Sequence, residues 1–85
     1  MKAELRIVLP ESEAGHGLGP QVIELACAHA FGELGLHRVY AYVLEPNRRA
    51  LRAFEKAGFI IEGRLRDDRR QDDGFVDTYL LGRLA

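Results

Sequence analysis

The sequence holds a single cysteine, no apolar run long enough to cross a bilayer, and no surplus of charge of either sign. Cys27 has no partner in the chain, so no internal disulfide can staple the fold, and a reducing intracellular setting is the simplest reading. The thiol falls within an apolar helical pattern, which suits a buried, inert group. A bilayer-crossing helix needs about 20 apolar residues, and none of the stretches here reaches that length. Lys2 is followed by a run that Glu4 and Arg6 interrupt, so a signal peptide is not expected and a soluble, cytoplasmic protein is. With 12 Lys and Arg against 13 Asp and Glu, the formal net charge is −1, and no field draws in nucleic acid or an anionic membrane. Any anion must therefore be held locally. The three histidines, His16, His29 and His37, do not combine with cysteine or carboxylates at ligand spacing, so no metal site is expected.

What is present suffices for one small domain. Apolar residues make up 47% and charged residues 29% of the 85, an ordinary balance for a chain that folds. The core is thin, because small domains bury only about 60% of their unfolded surface. The most informative run is Gly15-His16-Gly17-Leu18-Gly19, set between an apolar strand-like stretch and a long amphipathic pattern. Glycines permit close approach by a ligand, and the first N–H groups of the next helix are unpaired at the positive end of its dipole. Two readings follow: a cradle for a pyrophosphate-bearing cofactor, or plain turn chemistry.

The neighbouring elements form an ordered series. Residues 3–9 place Leu5, Ile7 and Leu9 on one face against Glu4 and Arg6 on the other, a strand buried mainly on one side. A helix starts near Leu18 to Pro20, with Ile23, Ala26, Cys27, Ala30 and Leu34 as its core stripe and Gly35 as its end. Residues 37–44 form a strand with two apolar faces, Val39, Ala41 and Val43 against Tyr40, Tyr42 and Leu44, as expected inside a sheet. Strand, helix, strand predicts a parallel pair with a right-handed crossover. Asn47 is a suitable N-cap for a helix over 48–56 that buries Ala50, Phe54 and Ala57, and Gly58-Phe59 suits a Schellman ending. Residues 59–66 and 75–83 read as antiparallel strands joined by a charged turn over 67–74. That turn is either solvated loop or a contact for a substrate or subunit.

Taken together, Gly17-Leu18-Gly19, Asn47-Arg48-Arg49-Ala50 and Phe54-Glu55-Lys56-Ala57-Gly58-Phe59 resemble the GNAT superfamily of acyl-CoA-dependent N-acetyltransferases, in particular the branch that includes the ribosomal-protein acetyltransferases. Further matches are Ala30-Phe31, Glu33 to Val39, Glu62 to Asp67, and Asp77 with Tyr79. Ala14 stands where the family's pyrophosphate signature most often has Arg or Gln. The resemblance covers nearly all of residues 1–85 and corresponds to the C-terminal, cofactor-binding half of the family. It implies an α/β fold, a partial GNAT domain of order β-α-β-α-β-β, whose mixed sheet contains two parallel strands joined by a crossover helix.

The resemblance also implies roles. Acetyl-CoA is the expected cosubstrate, with its pantetheine arm along Ile7, Val8 and Leu9 and its pyrophosphate on main-chain N–H groups of Gly15, His16, Gly17, Leu18 and Gly19. Asn47 corresponds to a family asparagine that often bonds to the cofactor arm, a role compatible with an N-cap. Acetyl transfer needs a neutral amine, stabilisation of an oxyanion and a proton for the leaving thiolate. The family usually takes that proton from a tyrosine, but Phe54 stands there and cannot give one. Tyr40 and Tyr42 lie on the adjoining strand, where packing is the alternative to catalysis. Glu4 is the carboxylate candidate for a base, and a solvated strand residue is the alternative. The expected partner is an amine acceptor of unknown identity. Family members carry an N-terminal half that completes the sheet, so a homo-oligomer or a partner chain is expected at the 3–9 edge. Two functions remain open: an N-acetyltransferase domain, or a catalytically impaired CoA-binding or assembly module lacking the acceptor-binding half.

Overall fold

The computed structural model describes residues 4–7 and 19–85. Strand β1 spans Glu4–Ile7, helix α1 spans Gly19–Ala28 and runs into a π-helical turn over His29–Glu33, and β2 spans Arg38–Leu44. Helix α2 spans Arg48–Lys56, followed by the long hairpin of β3, Ile60–Gln71, and β4, Gly74–Leu84. Strand order is β1-β2-β4-β3. β1 pairs parallel with β2 from Glu4 opposite Arg38 to Ile7 opposite Ala41, and the β2–β4 and β4–β3 pairs are antiparallel. The α/β class and the order of elements are those of a partial GNAT fold.

Strand alternation divides the sheet into two faces. Val39, Ala41 and Val43 of β2 and Leu81 of β4 are buried in one cluster with Ile23, Cys27 and Ala30 of the α1 segment and Ala50, Ala53, Phe54 and Ala57 of α2. Both helices therefore cover the same face, as two right-handed crossovers running in the same direction require. The intervening residues, Tyr40, Tyr42 and Leu44, pair with Gly82, Leu80 and Thr78 and look away from the helices. No described helix covers that second face, and Tyr42 is 41% exposed on it.

The ends of α2 follow from its sequence. Asn47 Oδ1 accepts the Ala50 N–H at 3.3 Å, satisfying one of the unpaired donors of the first turn. At the other end Gly58 takes φ +91°, its N–H bonds to Glu55 O at 3.0 Å, and the Phe59 N–H bonds to Phe54 O at 3.0 Å. This pair of bonds is a Schellman ending, and the Phe54 and Phe59 rings complete it edge to face, 5.0 Å apart. Phe54 is 1% exposed. Its ring is thus both core and cap.

Arg83 ties three elements together on the helix side. Its Nη1 donates to Glu24 Oε1 at 2.8 Å and to the Ala57 carbonyl at 2.7 Å, joining β4 to α1 and to the end of α2.

Two expectations need correction. Leu34 does not continue the core stripe and is 52% exposed. In the π turn its N–H bonds to His29 O, five residues back, and Leu36 bonds to Ala30 O at 2.9 Å. The extra residue rotates the following side chains, so Phe31 and Leu36 pack on the core instead. The charged segment is not a turn from 67 to 74 either. β3 continues to Gln71, and only Asp72 and Asp73 make the turn, with Asp72 at φ +54°. Bulges between Ile61 and Gly63 and between Leu65 and Arg69 absorb the surplus residues of β3. At the second bulge Asp67 has φ +50° and its N–H donates to Asp77 Oδ1 at 2.9 Å. A buried-face pattern is absent from 67–71, and pairing is secured by backbone bonds and this carboxylate.

Candidate functional site

The sequence-level candidates fall on three places. Gly15, His16, Gly17 and Leu18, with Val8 and Leu9, lie outside the described residues. Gly19 is buried at the first position of α1. Ile7 and Glu4 are at the two ends of β1, the strand paired with the N-terminal part of β2. Asn47 caps α2, which three connecting residues separate from the end of β2. Neither α1 nor α2 has an acidic residue in its first turn, and α2 opens with Arg48 and Arg49. Neither first turn thus carries a carboxylate of its own, Glu45 before the α2 cap being paired with Arg48 at 2.9 Å, a setting that fits a phosphate-bearing group.

Phe54 is buried in the core beneath α2, its ring edge to face with that of Phe59. Tyr40 and Tyr42 stand on the second face, edge to face with centroids 5.9 Å apart. Arg38 lies over the Tyr40 ring at 5.7 Å and Arg6 over the Tyr42 ring at 5.1 Å, contacts worth about 0.5–1 kcal/mol each at exposed sites. Packing accounts for Tyr40. His29 faces Glu33 at 3.4 Å on the surface, and His37 is exposed. Among the described residues no group of three His, Cys, Asp or Glu side chains is placed to hold a metal ion. Burial pushes the Cys27 thiol upwards, so it stays protonated within the core.

The structure adds a cavity that the sequence pattern does not reveal. A pocket of about 450 Å³ opens on the second face, lined by Arg6, Tyr42, Leu44, Leu65, Asp68, Arg69 and Thr78. It draws on all four strands, and the β3 bulge brings Asp68 back to the buried Thr78, whose hydroxyl donates to Asp68 Oδ2 at 2.8 Å. Next to it along the sheet, Arg38 grips Glu62 through two bonds of 2.9 and 2.6 Å. That guanidinium's hydrogen bonds hold the Glu62 carboxyl below its ordinary pKa. At the bulge, the Asp67 N–H and the Arg64 guanidinium lower Asp77 in the same way. The only hint of the pocket in the sequence is the mixed-sign run around Asp68 and Arg69.

Comparison with known proteins decides the family. Residues 1–60 match the profile of the Acetyltransferase (GNAT) domain. The chain belongs to the GNAT acetyltransferase family. Within the family it is 33% identical over 63 residues to a spermidine N(1)-acetyltransferase of Vibrio cholerae, a match covering 74% of this chain and 36% of that protein. It is 34% identical over 76 residues to a probable N-acetyltransferase of Bacillus subtilis, YjcK, covering 89% of this chain and 42% of that one. Spermidine N-acetyltransferase from Vibrio cholerae, solved in complex with CoA and spermine, superposes with a TM-score of 0.81 at 28% identity, over 98% of this chain and 49% of that one. The chain thus spans between a third and a half of the length of these GNAT relatives. None of its described helices is long and apolar enough to cross a membrane.

Proposed function

We propose that residues 1–85 act as one unit, the acetyl-CoA-binding part of an N-acetyltransferase that passes an acetyl group to an amine. The carrying observation is the β1-α1-β2 crossover, whose parallel strands lead into two helices with no acidic residue in the first turn. Ligands of open α/β sheets bind outside the carboxyl ends of the strands, where such helix starts gather. Here the loop 15–19 supplies main-chain N–H groups to the pyrophosphate, and α1 adds its dipole. Ile7 to Leu9 offers backbone to the amide-rich arm, as an added strand would accept it. Asn47 keeps its cap and turns its remaining polar atoms to the same arm. The bound cosubstrate supplies an acetyl thioester.

This chain's part is to orient that group, exclude water and accept or deliver protons. Glu4 is the proposed base. Phe54 can give no proton to a leaving thiolate, and its buried place under Phe59 favours a second reading, a module that binds CoA without turnover. Assembly with a second copy or a partner chain at the β1 edge is part of the proposal, supported by the Vibrio cholerae relative that was solved as a dodecamer. A soluble cytoplasmic setting is part of the same proposal.

Titration of the folded chain with acetyl-CoA by calorimetry tests the common claim, and saturable binding is expected. Gly17→Val should weaken that binding about tenfold or more while the circular dichroism spectrum is retained, because a branched side chain blocks phosphate approach. Binding unchanged by Gly17→Val would remove the loop from the site. Release of free thiol in the presence of a panel of amines separates the transferase from the module, which binds acetyl-CoA without turnover.

A further inference from the structure

The second-face pocket is not neutral. Two guanidinium groups, those of Arg6 and Arg69, enter it against one carboxylate, Asp68. That carboxylate is already engaged: it accepts the Thr78 hydroxyl at 2.8 Å and lies 3.8 Å from Arg69 Nε. Arg6 is different. Its guanidinium rests over the Tyr42 ring at 5.1 Å, and among the described residues it makes no ion pair with a carboxylate. A ring face leaves the N–H donors at the rim of the guanidinium available, and their planar fork matches a carboxylate. The rest of the lining includes the Tyr42 ring and Leu65, exposed by 41% and 45% respectively. An apolar floor with a cationic rim fits an organic anion with an apolar body. A polyamine meets the opposite arrangement, since its cations would face Arg6 and Arg69 and find Asp68 occupied.

The position of the pocket matters as much as its charge. Tyr42 follows Ala41, which is opposite Ile7 in the last described pair of the parallel ladder. The pocket therefore lies on the sheet face beside the end of that pairing, and about 450 Å³ is room for a small peptide-sized molecule. We propose that this pocket binds a carboxylate-bearing amine, an amino acid or short peptide with an apolar side chain, through Arg6, and that it discriminates against polyamines. Taking the occupant as the acetyl acceptor rests on the transferase reading above; the carboxylate preference of the pocket does not.

The test uses the whole chain, nitrogen-15 labelled, titrated with leucyl-leucine, with leucyl-leucinamide, which lacks the negative charge, and with spermine. Leucyl-leucine should bind about tenfold tighter than the amide, a typical difference for one charge-assisted contact, and should shift the amides of Tyr42, Leu65, Asp68 and Thr78. Arg6→Gln should abolish the acid-over-amide preference, Arg6→Lys should retain part of it, and spermine should not displace the dipeptide. Equal affinity for acid and amide, or displacement by spermine at matching concentration, overturns the proposal. A preference that survives Arg6→Gln in a well-dispersed spectrum also overturns it. If Arg6→Gln does not fold, the acid-to-amide ratio of the unaltered chain and the response to Arg6→Lys decide. Acetyl-CoA titrated into the same sample keeps the two readings apart. Acid preference without acetyl-CoA binding supports the pocket and sinks the transferase reading, whereas acetyl-CoA binding without acid preference sinks only the pocket.

Discussion

The two faces of the sheet share the same strands and differ in almost everything else. On the helix side Val39, Ala41 and Leu81 are fully buried beneath α1 and α2, and the polar contacts of Arg83 only bind the edges of that core. On the other side Tyr42, Leu65, Ile60 and Leu84 are between 41% and 66% exposed, and arginines stack on rings or grip carboxylates. Successive residues of β2 thus serve packing and surface chemistry in turn. Stability is concentrated on one face, which leaves the other free to vary its charge. A binding pocket is easiest to build where the core does not depend on the residues that line it.

The sharpest way to break this contrast is to cut one large side chain from each face. Phe54→Ala removes a ring that is 1% exposed and also closes the Schellman ending, so a loss of about 3–5 kcal/mol is expected, enough to unfold much of a chain this small. Leu65→Ala, at 45% exposure, should change stability by less than about 1 kcal/mol. Urea denaturation followed by circular dichroism reads both. Comparable losses would mean that the second face is a core surface in solution, covered by another chain.

Part of this contrast is legible in the sequence. Period-two spacing of Val39, Ala41 and Val43 and the helical recurrence of Ile23, Cys27 and Ala30 are local patterns that survive folding unchanged, and Asn47 and Gly58-Phe59 carry their caps in residue type alone. Leu34 departs from its expected place because a π turn changes the angular step, and its one glycine, Gly32, is a signal that an ordinary helix also tolerates. The segment from 67 to 71 reads as a turn because charge and strand propensity oppose each other there. Pairing prevails through β4 and the Asp77 carboxylate, a partner ten residues away from Asp67. For the same reason the pocket is illegible in the sequence: Arg6, Asp68 and Thr78 are brought together only by the sheet order and a bulge. The glycine loop is the reverse case, plain in composition, with residues 15–18 beyond the described part of the chain.

A smaller effect separates structure from function at Asn47. Loss of the bond from the Ala50 N–H in Asn47→Ala should cost about 1 kcal/mol of stability, while Asn47→Ser, a good cap, should restore most of it. If the residue also serves the cofactor arm, acetyl-CoA affinity should fall in both variants, because serine is too short to keep both roles. Affinity that recovers with stability in Asn47→Ser would leave Asn47 as a cap alone.

The smallest expected effect concerns acid. Hydrogen bonding from Arg38 lowers the Glu62 carboxyl below its ordinary value of 4.5, so the folded chain holds fewer protons there than the unfolded one at moderately acid pH. The resulting stabilisation is complete above the unfolded value and disappears as pH falls from about 4.5 through the folded value. Glu62→Gln should therefore flatten the acid limb of the stability profile, by an amount within the roughly 0.2–1 kcal/mol usual for surface pairs. High salt should flatten it less than for an isolated exposed pair, because the two short bonds and the packing over Tyr40 fix the guanidinium in place. Thermal midpoints measured between pH 3 and 7 in low and high salt check both statements. An acid limb that Glu62→Gln leaves unchanged would place the acid sensitivity instead at Asp77, where the Asp67 N–H and Arg64 act in the same direction at the far end of the hairpin.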